Sequence, residues 1–408
     1  MRILVLASYV PSLYKGAEIR LYQLLRYLSA GHEVTLWAIN QRGVPAGEIE
    51  MLLPHCRLEL QNIQALPQPL PLRLLNRSSW WRENGWQLGA LLQSLPSSVY
   101  RIYRPELQKR LDHLLAHNPF DLIHVNQVMI WHYLARSGRD NLPPVLLCTD
   151  NAWAELAQRD YEASPTKPFR KKLEAKRVAT YEQKAVSRTA GCVVVSEVDR
   201  AFLQNLAPNQ RFYVVPNGVD SDYFAPAGSE SPTPHLVFSG AMGWQPNAEA
   251  MIAFCRDIFP AVLAQYPTTQ LTIVGLQPSP AVRRLANQPN IHVTGFVPDV
   301  RPYIAAATVY IAPLRLGSGT RLKILEALAM GKAVVSTTIG AEGLAVESGR
   351  ELLIADDNQA FAQAINHLLA NPPLRQQLGQ AGHHLVTARY HWQALAYQLD
   401  TVYRSYEL

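Results

Sequence analysis

The chain has 408 residues, 48% hydrophobic and 17% charged, with a formal net charge of +6 and a pI near 9.1. That length exceeds what one ordinary core serves, so two domains are expected, and the composition excludes a disordered or fibrous chain. The positive balance asks for an anionic partner without choosing among nucleotide, phospholipid and nucleic acid.

No stretch approaches the ~20 apolar residues of a membrane span. The apolar run Ile3 to Ala7 is too short for a signal-peptide core. A cytoplasmic protein is expected, with peripheral contact at the inner membrane face left open. Cys56, Cys148, Cys192 and Cys255 are far apart and lack CxxC spacing. They read as reduced core thiols, not as disulfides or zinc ligands.

In chain order, Ile3 to Ala7 reads as a strand, broken by Pro11, Ser12 and Gly16. Ile19, Tyr22, Leu25 and Leu28 then recur at helical spacing, Gly31 stops the helix, and Val34 to Ile39 is the next strand. A βαβ opening implies a parallel sheet. Further strands are expected at Asp121 to Val125, Val145 to Thr149, Cys192 to Ser196 and Phe212 to Val215, closed by the turn residues Pro216, Asn217 and Gly218. Residues 225–234, rich in Pro, Ser, Ala and Gly, read as a linker.

A second alternation follows, with strands at Leu236 to Ser239, Leu271 to Val274, Ile291 to Val293, Val309 to Ala312, Ala333 to Ser336 and Leu352 to Ile354. Asp299 is the expected cap of the helix after the third of these. The reading is α/β: two Rossmann-like, doubly wound domains facing a cleft, spanning residues 1–224 and 235–388, with the linker at 225–234. Residues 389–408 form a last helix that packs back on the first domain. Ligands in such sheets bind at the carboxyl ends of the strands.

The most informative segment is Pro313 to Gly331, ProLeuArgLeuGlySerGlyThrArgLeuLysIleLeuGluAlaLeuAlaMetGly. Gly317, Ser318, Gly319 and Thr320 make a small-residue loop at a helix N-terminus, a ready anion site. Arg321 and Lys323 lie in the first turn, on the wrong end of the helix dipole, at a cost of about 0.3–1 kcal/mol each. A bound anion would reverse that sign. Glu326, three residues past Lys323, is placed to accept hydrogen bonds from ribose. The bland alternative is a surface helix with an ordinary Lys–Glu pair.

With this segment on the page, the chain resembles the retaining glycosyltransferases of family 4, which have the GT-B fold. Other stretches carry the same resemblance: ValValSerGluValAsp (194–199), ValValProAsnGlyValAsp (214–220) with Tyr223 and Phe224, GlyTrpGlnProAsn (243–247) and ThrGlyPheValProAspVal (294–300). The GlySerGlyThrArgLeuLys variant is similar to sugar transferases of exopolysaccharide assembly.

Family members commonly carry two glutamates eight residues apart; here the second is Glu326 and the first position holds Ser318. Many also have Arg and Lys after the first strand of the C-terminal domain, where this chain has AlaMetGlyTrpGlnPro. Phosphate contacts therefore fall to Arg321 and Lys323. The resemblance also implies donor contacts from the backbone at Gly16 and Ala17, and base contacts from the backbone at Phe296 and Val297. His124 keeps the first position of a His-x-His pattern, with Asn126 at the second. It is a candidate for catalysis or sugar contact, against the plainer reading of a structural histidine.

Two stretches are basic. Residues 66–118 hold seven Lys/Arg against three Asp/Glu, and residues 159–188 hold nine against four. The first also carries Trp80, Trp81 and Trp86. Such surfaces suit a membrane or a lipid phosphate, suit RNA less readily, and are also what a solvated helix face looks like.

The expected function is transfer of a sugar from a nucleotide-sugar donor to a saccharide or lipid-linked acceptor, with retention of configuration, in cell-surface or exopolysaccharide assembly. No Asp-x-Asp is read as placed for a metal, so no metal or cofactor is expected, and nucleic acid is not the expected partner. The alternatives are a nucleotide-sugar epimerase or hydrolase of the same fold, and a non-catalytic protein binding a nucleotide or anionic lipid.

Overall fold

The computed structural model describes residues 1–13, 16–63, 94–139, 141–164, 166, 168–316 and 320–407. The chain divides into two compact units, Met1–Val215 with Leu395–Leu408, and Pro216–Ala394.

The first unit is built on a parallel sheet of β1 (Arg2–Ala7), β2 (Glu33–Asn40), β3 (Cys56–Asn62), β4 (Leu122–Asn126), β5 (Val145–Cys148), β6 (Gly191–Val194) and β7 (Phe212–Val214), in the order β3-β2-β1-β4-β5-β6-β7. Strands covered on both faces by helices are continuous apolar runs, and Ile3 to Ala7 are all buried. β3 escaped the sequence reading because CysArgLeuGluLeuGlnAsn alternates apolar and polar residues, as suits an edge strand.

The end of the last helix, Trp392–Arg404, is part of this unit. Tyr403 meets His124 Nδ1 at 2.5 Å, and Asp400 Oδ1 meets His32 Nε2 at 2.6 Å. Residues 216–224, expected in the first domain, group with the second unit. Val219 N–H donates to the Tyr390 carbonyl at 2.8 Å, and Val219 forms a parallel bridge with His391.

The second unit holds β8 (His235–Ser239), β9 (Gln270–Val274), β10 (Ile291–Gly295), β11 (Val309–Ala312), β12 (Val334–Ser336) and β13 (Leu353–Ile354), parallel in the order β10-β9-β8-β11-β12-β13. Phe238, Phe254, Phe259 and Phe361 anchor one face of its core. In each sheet the winding reverses once, at β1/β4 and at β8/β11. A crevice opens outside the carboxyl ends of strands at such a reversal, and open α/β sheets bind ligands there. Cys148, Cys192 and Cys255 are buried and Cys56 partly so, all as free thiols.

Candidate functional site

The loops after β8 and β11 leave the second sheet beside its reversal point. The helix after β11 runs Leu322–Ala329, so it starts later than its sequence suggested: Arg321 is its N-cap and Lys323 its second residue. Gly331, at φ +68, ends it. Thr320 is buried and tied to the Pro216-Asn217-Gly218 turn. Asn217 N–H donates to Thr320 Oγ1 and Asn217 Nδ2 to the Thr320 carbonyl, both at 3.3 Å. Gly317, Ser318 and Gly319, the expected anion loop, lie outside the described residues.

Lys323 is held on two sides. Its ammonium donates to Asn247 Oδ1 at 2.6 Å and sits 4.2 Å from the centroid of the Phe238 ring. Asn247 is itself fixed, its Nδ2 donating to the Ala241 carbonyl at 2.9 Å. Burial lowers the Lys323 pKa to about 7, Arg321 pushes it the same way, and Glu326 opposes. Burial raises Glu326 to about 7, against the pull of Lys323.

Two glycines make room for this arrangement. A Cβ on Gly240 (φ +151) would lie 2.8 Å from Lys323 Nζ and 2.9 Å from Asn247 Nδ2. A Cβ on Gly275 (φ +154) would lie 1.7 Å from the Gly240 carbonyl oxygen. The sequence reading gave Asn247 no role and did not name Phe238, Gly240 or Gly275. A glycine directly after a buried strand was the available signal, because it marks close approach of backbone or ligand.

A half-buried cation at a helix N-terminus, its charged form disfavoured by desolvation, is an energetic cost in the free protein. A diphosphate beside it would favour the charged form and add an anionic partner to the neutral Asn247.

Other expected residues are placed as follows. Phe296 is 58% exposed, and Val297 is partly buried against the core under β11. The N-cap of the next helix, Arg301–Ala306, is Val300 and not Asp299, which lies one residue earlier and accepts Arg301 N–H at 2.9 Å. In the first unit, Gly16 is exposed at the start of the helix Gly16–Leu28, and the Ala17 carbonyl accepts from Tyr9 Oη at 3.2 Å. His124 is inside β4, not at its end, and is buried; Nδ1 faces Tyr403, and burial lowers its pKa to about 4. This geometry supports the structural reading of His124.

The carboxyl ends of β1, β4 and β5 carry a polar cluster that the sequence reading missed. Ser8 Oγ donates to Gln127 Oε1 at 2.9 Å, Gln127 Nε2 to Asp150 Oδ2 at 3.3 Å, and Tyr9 Oη to Asp150 Oδ2 at 3.2 Å. Arg20 lies 3.5 Å from Asp150. Gln127 has φ +77, a conformation that a non-glycine residue holds only under constraint.

Among the described residues, Asp220, Asp222 and His391 bring three possible metal-ligand atoms within 4.8 Å of one another. Asp220 and Asp222 form an Asp-Ser-Asp in the sequence. Its atoms serve local turns, since Asp220 Oδ1 accepts Tyr223 N–H at 3.0 Å and His391 Nδ1 accepts Gln393 N–H at 3.2 Å. Trp80, Trp81, Trp86 and most of the first basic stretch lie outside the described residues. Among the described residues, no helix is long and apolar enough to cross a membrane.

Two parallel α/β units, each with one reversal of winding, define the doubly wound class of folds, which bind ligands at the carboxyl ends of their strands. The chain belongs to glycosyltransferase family 4: residues 14–223 match the family described as Glycosyltransferase Family 4, and residues 233–371 match Glycosyl transferases group 1. It is 28% identical over 323 residues to a phosphatidyl-myo-inositol mannosyltransferase of Mycobacterium tuberculosis, covering 76% of this chain and 80% of that one. It is 27% identical over 254 residues to an alpha-maltose-1-phosphate synthase of Mycolicibacterium smegmatis, covering 55% and 65%.

Among solved structures it is similar to sucrose-phosphate synthase from Thermosynechococcus elongatus, with a TM-score of 0.74 at 20% identity and 99% of both chains covered. It is also similar to Anabaena HepE in complex with UDP, at 0.66 and 16%, covering 99% of this chain and 100% of that one. The fold is GT-B and the chain is a glycosyltransferase. The epimerase, hydrolase and non-catalytic alternatives give way to that assignment.

Proposed function

We propose that this glycosyltransferase takes a sugar from a nucleoside diphosphate donor held in its second unit and passes it, with retention, to a hydroxyl of a lipid-linked or saccharide acceptor in envelope or exopolysaccharide assembly. The observation that carries the proposal is the Lys323 ammonium, lodged between Asn247 and Phe238 at the β8/β11 reversal, with its pKa lowered to about 7 by burial.

In this reading Arg321 and Lys323 bind the diphosphate. Glu326 accepts from the ribose, and the backbone at Phe296 and Val297 faces the base. As the bond to the sugar breaks, charge builds on the departing phosphate, and fixed cations stabilise that charge more than they stabilise the ground state. The acceptor hydroxyl attacks from the leaving-group face and gives its proton to the departing phosphate, so no protein nucleophile is assigned.

The acceptor belongs to the first unit, with the Gln127 and Asp150 side chains as its hydroxyl partners. The mycobacterial relative's name supports a lipid headgroup as acceptor, and peripheral membrane contact follows from that. The test is a screen of nucleotide sugars for a rise in Tm, because a ligand bound only by the native state stabilises it. A rise with nucleoside diphosphates and their sugars, absent with nucleosides, supports the assignment. No rise with any of them rejects it.

A further inference from the structure

We propose that the solvent face of the helix Phe169–Ser187 is the surface by which this enzyme docks on an anionic membrane. The proposal rests on the lipid-linked acceptor reading above and adds to it where the enzyme meets the membrane.

The helix reads PheArgLysLysLeuGluAlaLysArgValAlaThrTyrGluGlnLysAlaValSer. Ala175, Val178, Tyr181, Glu182, Ala185 and Val186 form its buried side. Both of its carboxylates are used inside the unit. Glu174 Oε1 accepts from Ser97 N–H at 2.7 Å and Ser97 Oγ at 2.6 Å. Glu182 accepts from Trp153 N–H at 2.9 Å and Ala154 N–H at 2.7 Å, closing the N-terminus of the helix Trp153–Ala163.

The outer face carries Lys172, Lys176, Arg177 and Lys184, and no acid from the same helix. Lys171 turns aside to Asp160, at 3.0 Å. From Lys172 to Lys184 the cations extend over roughly 18 Å at about 1.5 Å per residue. Lys172 and Lys176 are an i,i+4 pair of like sign, which destabilises a helix in water and is relieved by an anionic surface.

Charge alone would suit any polyanion. The choice of a membrane comes from Phe169, which is 76% exposed at the start of the same face, with Leu173 one turn on. A bilayer interface offers phosphates to the cations and an apolar layer to the phenyl ring, the pattern of a helix lying in the interface plane. Nucleic acid phosphates would satisfy the cations and leave Phe169 in water.

The experiment is flotation of the full-length protein with vesicles of phosphatidylcholine, with and without phosphatidylglycerol, across a salt series. The wild type is expected to bind only the anionic vesicles, with binding that fades as salt rises. The triple variant Lys172→Gln, Lys176→Gln, Lys184→Gln should lower the partition coefficient roughly a hundredfold, at about 1 kcal/mol per cation. Phe169→Ser should remove the part of the binding that survives salt. The control Arg283→Gln, Arg284→Gln, exposed cations of the second unit, should bind as the wild type does.

Nucleoside diphosphate affinity, measured on the same samples, should be unchanged in the triple variant; this verifies folding and separates failure here from failure of the donor reading. The proposal is overturned if neutral and anionic vesicles bind equally, if the triple variant floats like the wild type, or if the wild type binds single-stranded RNA and no vesicles.

Discussion

Lys323 and Asn247, 76 positions apart in the chain, meet through a 2.6 Å hydrogen bond that brings the helix after β11 against the loop after β8. Gly240 lies directly beneath the contact. Gly240→Ala should therefore displace the ammonium as well as strain the backbone. Nucleoside diphosphate affinity should fall at least tenfold in calorimetry, with a loss of stability of about 1–3 kcal/mol by denaturant titration. Unchanged values in both would show that the loop gives way without disturbing Lys323.

The protonation of this site sets a pH dependence with a definite sign. In the free enzyme burial holds Lys323 at about 7 and Glu326 at about 7. Below that pH the lysine is charged and the carboxyl neutral, which favours a bound diphosphate. Above it the lysine loses its charge and the carboxylate gains one, and both changes disfavour the ligand. Affinity should fall as pH rises past 7. At pH about 8, binding should take up a proton, seen in calorimetry as a heat that varies with the ionisation enthalpy of the buffer. Lys323→Arg should flatten the decline, since arginine keeps its charge.

Glu326→Gln separates ribose from phosphate. Nucleoside diphosphate should bind about tenfold more weakly, the cost of a hydrogen bond to a charged group. Inhibition by inorganic diphosphate should hold or improve, because a negative charge is removed beside it. Equal losses for both ligands would make Glu326 a structural partner of Lys323.

Asn217→Ala removes the amide that donates to the Thr320 carbonyl. The expected cost is about 1–2 kcal/mol of stability, because Thr320 is buried and its carbonyl loses a donor. Donor affinity should fall with it, since Thr320 directly precedes Arg321, the N-cap of the helix that carries Lys323. A normal Tm with normal donor affinity would assign the Pro216-Asn217-Gly218 turn no part in the site.

The two sheets were legible because parallel strands buried on both faces leave unbroken apolar runs such as Val309 to Ala312. β3 was not, because its alternation of Leu with Arg, Glu and Gln resembles loop as much as strand. The boundary at Val215 was hidden because the proline-rich stretch at 225–234 looks like a linker, while the pairing of Val219 with His391 depends on a contact far along the chain. Arg321, Lys323 and Glu326 could be found from a single segment. Asn247, Phe238, Gly240 and Gly275 could not, since their relation to Lys323 exists only once β8 and β11 lie side by side. Gln127 carries no sequence mark at all; its positive φ is set by bonds to Ser8 and Asp150.

The most direct test of the donor site is calorimetric titration of Lys323→Gln with a nucleoside diphosphate, at a pH below 7 where the wild-type lysine is charged. Loss of one charged hydrogen bond predicts a weakening of about 1.5–3 kcal/mol, roughly ten- to a hundredfold. Wild-type affinity in a variant with a native circular dichroism spectrum would contradict the assignment of Lys323 to the donor diphosphate.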